Sequence, residues 1–193
     1  MSCRALITLA LLPAALLAAE PRRQEPAERA LVFLAGEVPR WSRENHCFSC
    51  HNNGDAARAL YSGLRAGYSI PKAALKDTND WLSDPQRWEH NGGEGPFSDK
   101  RLARLQFTAA LAAASDAGQV NGPENFIRAA ARLARDQSPD GSWSLEGEDD
   151  PGSATTYGPF LATYLARESL KTAVVRSLKP NEFTPPLFNK TRR

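Results

Sequence analysis

Apolar residues recur three and four positions apart along most of this chain, a spacing that puts them on one face of a helix and leaves almost no segment with the alternation of a strand. Ala30, Leu31, Leu34 and Ala35 make such a stripe within residues 24–37, behind an acid-rich start that suits a helix N-terminus. Ala59, Leu60 and Leu64 make a second, expected from Asp55 to Ala66, with Gly54 ending the loop before it and Asp55 as its cap. A third helix is expected from Pro71 to Leu82, with proline in its first turn. The glycines and proline from Asn91 to Pro96 read as a loop, after which Ser98 or Asp99 caps a long alanine-rich helix carrying Leu102, Leu105, Ala109 and Ala112 and closed by Gly118. Pro123 opens another, with Phe126, Ile127, Ala130, Leu133 and Ala134 on one face, and a last helix from about Thr155 to Val175 carries Phe160, Leu161, Tyr164, Leu165 and Leu170. The fold class expected is all-α, in one domain over residues 20–178, followed by an extended proline-containing tail over residues 179–193.

Residues 1–19 have a different character. A single positive charge at Arg4 precedes the apolar run from Ala5 to Ala19, broken only by Thr8 and Pro13, and a polar stretch begins at Glu20. The run ends in small residues and falls short of the roughly 20 apolar residues of a membrane span, so it reads as a secretory signal peptide cleaved near Ala19. An uncleaved anchor is the alternative, because Leu17 is a poor residue two places before the cut. The expected destination is periplasmic or otherwise exported, with no membrane span after cleavage. Loss of Arg4 from a chain with 24 Lys+Arg and 22 Asp+Glu leaves it nearly neutral, which excludes a global footprint for nucleic acid.

Cys3 departs with the leader, and the remaining cysteines, Cys47 and Cys50, are two residues apart. A disulfide between them would close too short a loop to constrain much chain. Cys47-Phe48-Ser49-Cys50-His51 has the C-x-x-C-H spacing of c-type haem attachment. Two thiols about one helical turn apart reach the two vinyl groups on one porphyrin edge, and the adjacent imidazole falls under the iron. One covalent haem c on Cys47 and Cys50, with His51 as proximal iron ligand, is the cofactor this pattern predicts. Export agrees with it, because haem c is attached on the far side of the membrane.

Rival readings of the same residues are weaker on ligand count and context. Structural zinc wants four ligands in paired clusters, and no second cysteine pair exists. A thioredoxin-like pair wants a strand leading into a helix, whereas the flanking chain reads as helical. With haem bound, the sixth position decides the chemistry. Met1, the only methionine, leaves with the leader, so His/Met ligation is not available. His46 is tethered on the proximal side; His90 lies far enough along the chain to return over the other face and is the candidate sixth ligand, with an open or water-filled position as the alternative. Bis-histidine iron favours low-potential electron transfer, and an open position permits ligand binding, sensing or peroxide chemistry. Arg40, Arg43, Arg58 and Arg65 flank the motif and would pair with haem propionates, dock an acidic partner, or stand solvated; Trp81 and Trp88 would stack near the porphyrin or lie in the core.

One internal repeat suggests how the helices assemble. Residues 29–34 leading to Trp41 align without gaps on residues 131–136 leading to Trp143, each reading helix, turn, tryptophan, loop, helix. Gln137-Ser138-Pro139-Asp140-Gly141-Ser142-Trp143 resembles the Q-x3-G-x-W repeat of squalene-hopene cyclases and related α/α-toroid proteins, and residues 152–158 look like the segment that opens their next inner helix. In that family the glutamine and tryptophan pin the turn to a neighbouring helix end. The resemblance covers residues 124–170 and implies stacked helical hairpins forming an incomplete α/α toroid, with the haem-binding loop grafted onto it. It does not carry cyclase activity, since Glu146-Gly147-Glu148-Asp149-Asp150 departs from the acidic D-x-D-D motif, and the Asp/Cys/His zinc set of the related prenyltransferases is missing. The function expected is one-electron transfer by an exported mono-haem c-type cytochrome-like protein, served by a redox partner protein or by further haem subunits of a larger complex. A haem-based or apolar-ligand binding or sensor module without redox turnover is the alternative, and a peroxide-using haem enzyme a third.

Overall fold

The computed structural model describes residues 26–90, 100–145 and 158–176. Among these the chain is all-α, with no strand. The helices are α1 (Pro26–Asn45), α2 (Ala57–Arg65), α3 (Lys72–Leu82), α4 (Lys100–Asp116), α5 (Pro123–Arg135) and α6 (Pro159–Arg176); a π-helical turn at Cys50–Ala56 runs into α2, and a 3-10 turn at Arg87–His90 follows α3. The signal peptide expected over residues 1–19, the loop from Asn91 to Pro96, the Ser98 or Asp99 cap, the acidic residues 146–150 and the tail over 179–193 lie outside the described residues.

A helix can be enclosed on all sides only where its side chains let its neighbours come close, and α4 is built that way. Leu102, Leu105, Phe107 and Leu111 alternate with Ala103, Ala109, Ala110, Ala112 and Ala114, and all of them are buried. Against α4 pack the π-turn, α2, α3, α5 and α6, so the alanine-rich composition reflects a central position rather than propensity alone. α1 lies outside this layer on α2, α3 and the π-turn. Between the layers sits an aromatic cluster in which Trp81 meets Phe107 edge-on at 5.8 Å and Trp88 meets Phe107 at 5.5 Å. Trp88 Nε1 donates to the Trp81 carbonyl at 3.1 Å, which ties the 3-10 turn to the end of α3.

The turn after α5 is held by the residues of the Q-x3-G-x-W segment. Gln137 Nε2 donates to the Gly141 carbonyl at 2.8 Å, and Gly141 takes the left-handed conformation (φ 93°) that this turn requires and that glycine adopts without strain. Trp143 is buried, its indole N–H donates to the Leu133 carbonyl in the last turn of α5 at 2.8 Å, and its backbone N–H donates to Thr163 Oγ1 on α6 at 3.0 Å. Arg104 on α4 reaches the same corner and makes a bidentate pair with Asp136, at 2.6 and 2.9 Å.

The first copy of the repeat does not adopt this arrangement. α1 was expected to end near residue 37, ahead of Pro39, but it runs on to Asn45 and contains Trp41, which is 39% exposed where Trp143 is 2%. Val38 and Pro39 are both buried, and their packing outweighs the hydrogen bond that the proline removes. The alignment of residues 29–34 with 131–136 is therefore one of sequence and not of conformation.

Tyr61 joins α2 to α3: its hydroxyl donates to Asn79 Oδ1 at 2.6 Å and its side chain is fully buried. Burial pushes this phenol well above the usual tyrosine range, because the phenolate would be desolvated. The folded state thus favours the neutral form; its contribution is complete below the unfolded pKa of about 10 and is lost as pH rises beyond that value. Urea midpoints measured from neutral pH to about pH 11 should fall steeply at the alkaline end, and Tyr61→Phe should flatten that fall while costing about 1 kcal/mol at neutral pH.

Candidate functional site

The cysteine peptide starts where α1 is made to stop. Asn45 Nδ2 donates to the Trp41 carbonyl at 3.0 Å, and His46 takes φ 52°, the left-handed conformation that ends helices. For a residue with a side chain this conformation costs about 1–2 kcal/mol, and it turns Cys47 away from the helix axis. Ser49 then begins the π-turn. Its hydroxyl accepts from the backbone N–H groups of His51 (3.1 Å) and Asn52 (3.3 Å), and its carbonyl accepts from Asn53 (2.8 Å) and Gly54 (3.2 Å). The expected cap Asp55 and loop-ending Gly54 are instead inside the turn, because Ser49 caps the helix one and a half turns earlier.

Asn53 is the anchor of this segment. It is fully buried; Oδ1 accepts from the Ser49 N–H at 3.0 Å, and Nδ2 donates to Thr78 Oγ1 on α3 at 2.9 Å and to the Val38 carbonyl on α1 at 3.4 Å. One carboxamide thus ties the cysteine peptide to two helices. Gly54 lies flat on α4, where a methyl group would stand 3.1 Å from Gln106 Cβ, and Gln106 Nε2 donates to Asp55 Oδ2 at 2.8 Å. Asp55 also pairs with Arg58 at 2.9 Å.

Of the residues singled out in the sequence, Cys47 lies in the bend before this turn and Cys50 begins it, both half-buried, and His51 is exposed. His90 is exposed at the end of the 3-10 turn, in a cleft of about 360 Å³ lined also by Trp81, Asp84, Gln86 and Arg87. Trp81 links the two places. Phe48, between the two cysteines, stacks on its ring at 4.5 Å with an 8° tilt, and the Arg87 guanidinium lies 5.2 Å from the ring centre. Trp81 is 4% exposed, yet among the described residues its indole N–H has no hydrogen-bond partner.

The flanking arginines have other occupations. Arg40 pairs with Glu37 and Glu44, Arg58 with Asp55, and Arg65 with Asp116 at 3.7 Å, while Arg43 is exposed. Among the described residues no three His, Cys, Asp or Glu side chains converge as a protein-only metal cage requires. Two thiols three residues apart beside an exposed imidazole can instead add to the alkene groups of a cofactor that brings most of its own metal ligands, the imidazole supplying one more. Sequence reasoning missed Asn53, which reads as part of a polar Asn-Asn-Gly loop, and the partner residues Thr78 and Gln106, whose burial no local pattern signals.

No protein-family model, no curated protein and no solved structure matches this chain.

Asn53→Ala should lower stability by about 3 kcal/mol, since it removes three hydrogen bonds and strands the buried Thr78 hydroxyl and Ser49 N–H. Thr78→Val should cost about 1–2 kcal/mol alone and clearly less in the Asn53→Ala background, a non-additivity that a double-mutant cycle by urea denaturation reads directly.

Proposed function

We propose that this chain is an exported c-type cytochrome-like protein that carries one covalent haem through Cys47 and Cys50 and passes single electrons. The observation that carries the reading is the C-x-x-C-H sequence leading into a capped turn, with both thiols half-buried and the His51 imidazole exposed. The residues fit such a group in a second respect. The unpartnered N–H of Trp81, whose ring stacks on Phe48, is a buried donor of the kind a propionate oxygen satisfies, and Arg87 supplies a positive charge over the same ring. Bound haem would supply the ferric/ferrous couple. The chain's own part is to hold it: two thioether bonds from the cysteines, one nitrogen ligand from His51, and aromatic surface from Phe48 and Trp81 that keeps water from one edge.

His90 is the proposed sixth ligand, supported by its place in the cleft that shares Trp81 with the cysteine peptide; an open or water-filled position is the other reading. The leader over residues 1–19 supports delivery to the compartment where haem c is attached, and a nearly neutral mature chain is consistent with a redox protein or further haem subunits as partners rather than nucleic acid. None of the described helices is both long and apolar enough to cross a membrane. The hairpin around Trp143 supports the toroid-like scaffold only for the C-terminal helices.

The test is expression with its leader in a host able to attach haem c, followed by a pyridine haemochrome spectrum and an intact mass. A haem-sized mass increment that Cys47→Ala/Cys50→Ala abolishes is expected; a colourless protein with both thiols free to react overturns the reading. A low-spin oxidised spectrum indifferent to cyanide and carbon monoxide is expected for electron transfer, and ready uptake of either points to the ligand-binding alternative. Trp81→Phe should keep the covalent haem and lower its reduction potential by some tens of millivolts, because a less compensated propionate charge favours ferric iron.

A further inference from the structure

Away from the cysteine peptide, α5 turns three arginines toward one hollow. Arg128, Arg132 and Arg135 stand at i, i+4 and i+7, on one face of the helix, and with Asn125 and the turn after α3 they line a cleft of about 260 Å³. The walls are fixed independently of any ligand. Asn125 Nδ2 donates to the Ser83 carbonyl, and Arg132 Nη1 donates to the Pro85 carbonyl at 3.3 Å, so the α3 end is stapled to α5.

The charge in this hollow is poorly compensated. Arg128 and Arg135 are exposed; Arg128 donates at 2.7 Å to the neutral Asn125 Oδ1, and among the described residues the Arg135 guanidinium has no hydrogen-bond or ion-pair partner. Arg132 lies 3.6 Å from Glu89, but that carboxylate also serves Arg104 at 3.8 Å. Among the described residues Asp84 is the single carboxylate of the lining, and its Oδ1 accepts from the Gln86 N–H at 3.3 Å. The helix dipole favours basic residues in the last turn and so accounts for Arg132 and Arg135, but not for Arg128 in the second turn or for the hollow between them. Like charges facing one space repel, an anion among them relieves the part of that repulsion that solvent does not screen, and guanidinium groups match the geometry of phosphate and carboxylate oxygens with paired donors.

We infer that the cleft between α5 and the turn after α3 binds a small oxyanion of two or more negative charges, a phosphate group or a dicarboxylate, held by Arg128 and Arg135 with Arg132 as its fixed wall. The site is independent of the haem reading and stands whether or not Cys47 and Cys50 carry a cofactor. Titration calorimetry on the purified full chain, at constant ionic strength so that general screening cancels, uses inorganic phosphate in one arm and succinate in the other. Saturable binding of at least one probe is expected, weakened about ten-fold by Arg135→Gln and further by Arg128→Gln/Arg135→Gln. Arg135 is exposed and has no side-chain partner among the described residues, so its substitution should leave folding intact, and Lys72→Gln, an exposed cation on α3, should leave binding unchanged. Phosphate alone binding assigns a phosphate ligand, and succinate alone a carboxylate one. Failure of both probes to saturate, or equal affinity in the double variant, overturns the inference.

Discussion

The close approach of the cysteine peptide to α4 is the contact on which the rest of the arrangement depends. Gly54 leaves no room for a side chain above Gln106, and the amide of Gln106 holds Asp55 in the same turn. The peptide can be this near only because α4 presents small residues to its neighbours, and α4 can be this enclosed only because five other elements supply apolar surface around it. Asn53 then fixes the turn from the other side, against α1 and α3, with hydrogen bonds that a buried carboxamide must make to be tolerated there. The segment with the chemistry is in this way clamped between the two layers of the fold, while Cys47, Cys50 and His51 remain toward its surface.

That clamping matters for what the residues can do. Thiols and an imidazole on a freely moving loop would lose orientation entropy each time they engaged a cofactor, whereas a capped turn has met that cost during folding. Phe48 extends the same rigidity into the aromatic cluster, since its stacking partner Trp81 also meets Phe107 in the core. Through Trp81 the cysteine peptide and the cleft of His90 are neighbours, although about forty residues separate them in the chain. The Arg104–Asp136 pair joins α4 to the end of α5, and Trp143 joins α5 to α6 through its indole N–H on the Leu133 carbonyl and its backbone N–H on Thr163 Oγ1.

Helical periodicity was legible wherever a helix buries one face: α2, α3, α5 and the described part of α6 begin and end close to where their stripes, prolines and glycines place them. It placed the end of α1 at residue 37, eight residues early, because the stripe is a local signal and the packing of Val38 and Pro39 that carries the helix on to Asn45 is not. The same limit explains Trp41. Its sequence setting parallels that of Trp143, but only Trp143 has a helix end and a threonine on α6 within reach of its two donors.

By itself the sequence determined an all-helical chain, an apolar run over residues 5–19, a nearly balanced charge and two cysteines spaced with a histidine, because periodicity and short spacings are properties of neighbouring residues. Only the tertiary structure decided that Asn53 is the buried tie of that motif, that Trp81 offers it an unpartnered N–H, and that three arginines of α5 share a hollow with the end of α3. Burial and convergence join residues tens of positions apart, and the free energy that selects them is summed over the packed core rather than written in any one segment.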